Sequence, residues 1–192
     1  MIENEFKGKV IILSAPSGAG KTTIVKKLLA TSMPLSFSIS ACNRTQRPNE
    51  KNGLDYHFIS TQEFKNKIKE NAFIEWEEVY ENSFYGTLKN EIDKIWLSKN
   101  HVIFDVDVIG GISLKKYFKH KALSIFINPP SLDVLFQRLN ERATDDIESL
   151  KRRMEKAKSE LAYKDQFDKI ITNDQLEIAM LETTNLVSKF IN

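Results

Sequence analysis

The stretch Lys9-Val10-Ile11-Ile12-Leu13-Ser14-Ala15-Pro16-Ser17-Gly18-Ala19-Gly20-Lys21-Thr22-Thr23 reads as a buried strand, a loop of small residues and a helix start, in that order. This order suits a loop that wraps a phosphate. Glycines let backbone N–H groups turn inward, Lys21 places a cation near the β and γ phosphates of a nucleotide, and Thr22 offers a hydroxyl to Mg²⁺. Ala15, Pro16, Ser17, Gly18, Ala19, Gly20, Lys21, Thr22 and Thr23 are therefore the candidate ATP-binding residues. The G-x-x-x-x-G-K-[ST] pattern has glycine where Ala15 stands, a change tolerable only if that residue keeps a negative φ. Ile24, Val25, Leu28 and Leu29 continue as an apolar helix face, which argues against an isolated turn.

A chain of 192 residues can bury about 70% of its unfolded surface in one core, so no disulfide or structural metal is required. A net charge of +2 with 28% charged residues describes a mixed surface, too weakly basic to argue for nucleic acid. Cys42 is the only cysteine, and Met1-Ile2-Glu3-Asn4-Glu5 lacks the basic and apolar regions of a signal peptide, so a cytoplasmic protein is expected. No apolar run approaches the ~18 residues of a membrane span, and His57, His101 and His120 lack metal-ligand spacing.

Strand-like runs at Val10–Ser14, Val102–Asp107, Leu123–Asn128 and Lys169–Thr172 alternate with amphipathic helical runs, which predicts an α/β core with a parallel sheet and crossover helices. Ser131 reads as a helix cap before Leu132, Leu135 and Leu139. Asp174 and Glu177 read as a capping box before Ala179, Met180, Val187 and Phe190. Between roughly Leu35 and Lys89 the texture changes to short aromatic strands, Asp55–Ile59 and Phe73–Tyr80, around a helix opened by Ser60 and Glu63, and this reads as an inserted subdomain. Ile147, Leu150, Met154, Ala157 and Leu161 form a narrow apolar stripe whose polar approach, Asn140–Asp146, is a candidate lid.

Three polar groups and a set of arginines add chemistry to the loop. In Ser40-Ala41-Cys42-Asn43-Arg44-Thr45-Gln46-Arg47, two arginines three residues apart can converge on one phosphate with planar donor forks, or can sit on a solvated loop. Glu75 lies in an aromatic stretch with Phe73 and Trp76, ahead of Phe84-Tyr85-Gly86-Thr87. A carboxylate there matches the adjacent N1–H and N2–H₂ donors of guanine and repels the N1 acceptor of adenine. Glu77 and Glu78 compete for that assignment, and any of the three can instead face solvent. Asp105 and Asp107 stand at the end of an apolar strand, where doubly wound sheets place ligands, and a period of two puts them on one face. Asp105 suits a water-mediated role at Mg²⁺, and Asp107 can face the acceptor nucleotide. Arg138, Arg142, Arg152 and Arg153 flank the lid and can stabilise a transferring phosphoryl group or lie on a wetted helix face. Cys42 has no evident base partner and reads as a small filler.

These segments, with Gly53-Leu54-Asp55-Tyr56 and Phe73-Ile74-Glu75-Trp76, occur in an order that resembles the guanylate kinase family over nearly the whole chain. The resemblance implies a three-layer P-loop α/β/α fold in a single domain, with core segments at about 1–34, 90–137 and 156–192, a GMP-binding insertion at about 35–89 and a helical lid at about 138–155. It implies that Ser40, Arg44, Arg47, Tyr56, Glu75, Tyr85, Thr87 and Asp107 bind GMP, and that Asn173 lies beside the ATP base and ribose. Lys21, Arg44, Arg138, Arg142 and Arg153 would be catalytic, whereas Arg152 does not align; Thr22 and Asp105 would hold Mg²⁺, the latter through water. Ala15, Ile109 and Ala143 depart from the commonest family residues, and the Glu81-Asn82-Ser83 connection is slightly longer than in some relatives. The implied activity is transfer of the γ-phosphoryl of ATP to GMP or dGMP, with no nucleic-acid or membrane partner and with homo-oligomerisation open. The rivals are a catalytically silent binding module, which would have lost the phosphate loop, and a GTPase, whose Asn-Lys-x-Asp segment is missing at Asn173-Asp174. A kinase for another nucleoside monophosphate is the third, and Glu75 argues against it.

Overall fold

Val10–Ser14 forms strand β1, and all five residues are buried. Such a run, apolar on both faces, belongs at the centre of a parallel sheet covered by helices on both sides. The computed structural model, which describes residues 6–141 and 147–192, places it there. β1 pairs in parallel with a strand at His101–Val106 on one side and with one at Ala122–Asn128 on the other. A strand at Leu35–Phe37 and another at Lys169–Thr172 complete the sheet as its two edges, both parallel to their neighbours.

In chain order the elements are β1, α1 (Lys21–Leu29), β2 (Leu35–Phe37), β3 (Ala41–Cys42), β4 (His57–Phe58), α2 (Thr61–Lys69), β5 (Phe73–Tyr80), β6 (Ser83–Leu88), α3 (Lys89–Leu97), β7 (His101–Val106), α4 (Val108–Phe118), β8 (Ala122–Asn128), α5 (Leu132–Glu141), α6 (Ile147–Leu161), β9 (Lys169–Thr172) and α7 (Leu176–Ile191). The central sheet has the order β2-β7-β1-β8-β9. Alternate side chains of β1 feed two cores. Ile11 and Leu13 pack with α1 and α7 through Ile24, Leu28, Ala179 and Val187, whereas Val10 and Ile12 pack with α3 and α4 through Ile92, Ile95, Leu114 and Phe118. The result is the expected three-layer α/β/α core.

A second, four-stranded sheet has the order β4-β3-β6-β5 and holds its own small core. Phe64 of α2 is fully buried there, stacked on Phe73 at 4.5 Å and on Phe84 at 5.5 Å between ring centroids. The Ser60 hydroxyl accepts the Glu63 N–H at 3.1 Å, as the capping pattern of α2 predicts. Ser131 likewise caps α5 by accepting from the Val134 N–H.

Three readings need correction, and a fourth, the lid approach, falls largely outside the described residues. Leu35–Phe37 pairs with β7 in the central sheet, so the boundary drawn at residue 35 cuts into the core; three residues are too few to display a strand period. β7 ends at Val106, and Asp107 instead caps α4 by accepting from the Gly110 N–H at 2.8 Å, so Asp105 and Asp107 do not share a strand face. Asp174 does not cap α7, which starts after Gln175 without a side-chain cap. Asn140 and Glu141 are the last residues of α5, while Arg142, Ala143 and the rest of 142–146 lie outside the described residues.

Phe64→Ala is expected to destabilise the protein by about 3–5 kcal/mol, because it empties the centre of the small core. Urea unfolding followed by tryptophan fluorescence measures this, and a loss below about 1 kcal/mol would show that the core refills around the gap.

Candidate active site

The loop after β1 and the end of β7 meet at the carboxyl edge of the central sheet, where strand order switches between the β7 and β8 sides of β1. Within the loop the positive φ angles fall on Gly18 and Gly20, both +93°, and not on Ala15. Ala15 is thus compatible with the turn. Gly20 is required for a second reason: a Cβ there would collide with the side-chain amide of Asn173. Asn173 is buried beneath the loop, donates to the Ala19 carbonyl at 2.8 Å and accepts the Arg138 guanidinium on its own carbonyl at 3.1 Å.

A cavity of about 660 Å³ opens from this loop toward the small sheet. Ala15, Pro16, Ser17, Gly18, Gly20, Lys21 and Thr22 line one end; Ser40, Tyr56, Glu75, Tyr85 and Asp107 line the other, with Asp105 and Arg153 also at the surface. The described structure therefore brings most of the expected site together. Ala19 is buried in the core beneath the loop, Thr23 is exposed, and Asn173 and Arg138 support the loop from behind. Thr87 is buried behind Glu75, and Arg44 sits behind Tyr56 and Tyr85. Arg47 projects outward with its side chain 73% exposed, and Arg142 lies outside the described residues.

At the loop end, the Lys21 ammonium forms an ion pair with Asp105, and the Thr22 hydroxyl donates to the same carboxylate at 2.7 Å. Withdrawal from water pushes Lys21 down to about 8, opposed by the negative charges of Asp107 and Glu160. From α6, Arg153 donates to the Ser17 hydroxyl at 2.7 Å, so the helix bearing the apolar stripe touches the loop. Of that stripe, Leu150, Met154 and Ala157 lie against Leu135 and Leu139 of α5, while Leu161 packs with Val108, Phe126 and Phe167.

At the opposite end the Thr87 hydroxyl donates to Glu75 at 2.6 Å, across the β5–β6 register Glu75↔Thr87. Period two then brings Glu77 to the cavity as well and turns Trp76 and Glu78 outward. Desolvation holds Glu75, Glu77 and Glu160 each up at about 7, with Asp107 adding like-charge repulsion to all three. Lys156 lies 3.8 Å from both Asp107 and Glu160 and offsets part of that negative charge. Because the three glutamates keep their protons to higher pH in the folded chain, the stabilisation they give to the free protein is fullest below the unfolded value near 4.5. It is lost as pH rises through about 7.

The arginine segment differs from its expected form. The fork of Arg44 is engaged by Glu50, with Nη1 and Nη2 each donating to one carboxylate oxygen at 2.6 Å, while Nε donates to the Tyr85 hydroxyl at 3.0 Å. The guanidinium also lies 5.0 Å from the ring centre of Tyr56. The pair holds Glu50 down at about 2. Glu50, Lys156 and Glu160 were not singled out from sequence. Arg44 and Glu50 are joined by a loop with no regular period, and Lys156 and Glu160 read as the solvated side of a helix. Cys42 is buried in β3 and its thiol is pushed up by burial, in keeping with a filler role.

Comparison with known proteins extends the match beyond the cavity. A family model described as guanylate kinase matches residues 7–190. A guanylate kinase of Bacteroides fragilis is 48% identical over 185 residues, covering 96% of this chain and 91% of its own length. One of Bacteroides thetaiotaomicron is 46% identical over 188 residues, covering 98% and 92%. The crystal structure of guanylate kinase from Anaplasma phagocytophilum superposes with a TM-score of 0.77 at 25% identity, covering 96% of this chain and 86% of that one. The shared region contains both sheets and every described wall of the cavity, and the chain belongs to the guanylate kinase family.

Proposed function

We propose that this protein transfers the γ-phosphoryl group of ATP to GMP, and to dGMP, yielding ADP and GDP. The observation that carries this reading is Glu75, an acceptor oriented by Thr87 in a cavity whose other end is a phosphate-binding loop. As a carboxylate it presents two acceptors to the N1–H and N2–H₂ of guanine. Arg44, Arg47, Tyr56 and Tyr85 are assigned to the acceptor phosphate, with Ser40 and Asp107 completing the base pocket and Thr87 acting on the base through the Glu75 carboxylate it donates to. The segment at about 35–89, less the core strand Leu35–Phe37, and the segment at about 138–155 are read as the acceptor subdomain and the lid.

The reaction needs orientation and charge compensation more than proton transfer. An oxygen of the acceptor phosphate attacks the γ phosphorus, and the bond from that phosphorus to the β–γ bridging oxygen breaks. Because the second pKa of a phosphate monoester is about 6, the attacking group is largely dianionic near neutrality and requires no general base. Lys21 and the loop amides hold the donor phosphates, while Arg138, Arg142 and Arg153 are assigned to the charge of the transferring group. Asn173 is read as holding the loop from beneath, as well as lying near the ATP base.

The Thr22 hydroxyl and the Asp105 carboxylate are hard oxygen donors 2.7 Å apart beside Lys21, a set that fits Mg²⁺. When bound with ATP it would supply positive charge to the phosphates. No helix among the described residues is long and apolar enough to cross a membrane. A cytoplasmic protein acting on nucleotides is the accompanying proposal.

Lys21→Met is expected to lower turnover by at least ~10²-fold with little change in GMP affinity, because it removes a charge acting on the transferring group. A GMP binding titration beside steady-state rates checks this; near-normal turnover would remove Lys21 from the mechanism.

Glu75→Gln is expected to lower kcat/KM for GMP by more than ~2 kcal/mol, since the amide offers one acceptor and opposes a guanine donor with its NH₂. The same change removes a buried charge, so thermal melts of the free protein at pH 8 should show the variant a few degrees above the parent. A variant that keeps the parental preference for GMP over AMP excludes Glu75 as the base reader, whereas one that melts lower shows that the Glu75 charge does not oppose folding.

Protonated Glu75 would present one donor and one acceptor, the pattern that suits adenine. The ratio of kcat/KM for GMP to that for AMP is therefore expected to fall as pH drops below about 7. Both substrates carry the same phosphate, so its titration cancels in the ratio. A ratio independent of pH between about 5.5 and 8 would show that Glu75 does not change protonation in the binding step.

A further inference from the structure

Arg44 carries five N–H donors, and the structure accounts for four of them. Nε donates to the Tyr85 hydroxyl at 3.0 Å; Nη1 donates to the Thr45 carbonyl at 3.0 Å and to Glu50 at 2.6 Å; Nη2 donates to the other oxygen of Glu50 at 2.6 Å. One Nη2–H remains for a substrate. Glu50 is itself held at a second point, because its Oε2 also accepts the backbone N–H of Arg47 at 2.9 Å. Its own carbonyl accepts from the Gln46 side chain at 2.5 Å. Both partners are largely shielded, with side chains 17% and 16% exposed. A carboxylate tied to the backbone on one side and to a fork on the other does not swing aside when an anion arrives.

We infer that Glu50 is a positioning residue for the acceptor phosphate, fixing the Arg44 guanidinium over the Tyr56 ring so that it offers a single N–H beside the Tyr85 hydroxyl. The inference rests on the reading that Arg44 and the two tyrosines hold that phosphate. Two consequences follow from charge and geometry. The Arg44–Glu50 pair is close to neutral as a unit, so Arg44 contributes direction more than long-range attraction. Arg47 lies 4.0 Å from Glu50 with most of its side chain in water, and it supplies the field that draws a dianion in. The pair of arginines is thus divided between orienting and attracting, and does not act as two equivalent forks. Preorganisation of this kind acts on binding, because an arginine that is already ordered loses less side-chain freedom when the ligand arrives.

The test uses steady-state kinetics of the intact protein with ATP and GMP, for Glu50→Gln, Arg44→Lys and the double variant. Glu50→Gln, which keeps the shape and removes the charge, is expected to raise KM for GMP at least about tenfold while KM for ATP stays within about twofold. The salt dependence of KM for GMP should steepen, because the charge of Arg44 is no longer offset. In the Arg44→Lys background, where there is no fork to orient, adding Glu50→Gln should change KM for GMP by less than about twofold. The inference is overturned if Glu50→Gln leaves KM for GMP unchanged or lowers it, as a carboxylate competing with the phosphate would. It is equally overturned if KM for ATP rises in parallel, the sign of a general loss of structure, or if the effect is undiminished in the Arg44→Lys background. If Arg44→Lys alone leaves KM for GMP unchanged, the assignment of Arg44 to the phosphate fails and this inference falls with it. If Arg44→Lys raises KM and Glu50→Gln does not, only the role of Glu50 is lost.

Discussion

The structure depends on β1 being buried on both faces between two parallel neighbours. Its register sets Leu13 opposite Asp105 on β7 and opposite Ile125 on β8. Any slip would turn Ile11 and Leu13 out of the core shared with α1 and α7 and move Asp105 away from the loop. With the register held, the phosphate loop and the acidic end of β7 arrive at the same edge of the sheet. Lys21 and Thr22 then meet Asp105 without any special feature of the intervening chain. Asn173, arriving from beyond β9, locks the loop from below through the Ala19 carbonyl.

Around this frame the cavity is built from groups that oppose the stability of the free protein. Glu75, Glu77 and Glu160 are drawn out of water near Asp107, and their ionisation at neutral pH costs folding free energy. Lys21 is depressed in the same low-dielectric space, so it too is held where its charge is unfavourable without a partner. Such a site is poised to gain from ligands that bring complementary groups, amide-like donors at one end and phosphates at the other. Lys156 and Arg153 of α6 carry compensating charge into the cavity wall and couple the helix beyond α5 to both ends.

The small sheet handles its charges differently. There Arg44 and Glu50 form an ion pair held at both ends, with the Arg44 Nε donating to Tyr85, its guanidinium over the Tyr56 ring and one Nη2–H left over. The adjoining core of Phe64, Phe73 and Phe84 holds β5 and β6 against α2. Rigid packing on one side and an ordered arginine on the other make this region a preformed wall.

Much of this was legible in the chain itself. The phosphate loop, the central strands and the caps at Ser60 and Ser131 follow from short-range rules, namely unbroken apolar runs, glycine at positive φ and hydroxyls ahead of helices. The family order of motifs added residues such as Tyr56 and Thr87, whose spacing alone says little. Tertiary structure decided the rest. Only pairing with β7 shows that Leu35–Phe37 belongs to the core, and only the start of α4 shows that Asp107 is a cap rather than a strand residue. The choice among Glu75, Glu77 and Glu78 required the β5–β6 register, which turns Glu75 and Glu77 inward and places Thr87 against Glu75 alone. Glu50 carries no local signature, because an irregular loop gives a carboxylate no period by which to be recognised. Its meaning arises when the chain folds back and brings Arg44, Tyr85 and the Arg47 amide within reach of the same two oxygens. Local sequence sets backbone preference and burial, whereas the pairing of charges across the cavity is set by which distant segments the sheets bring together.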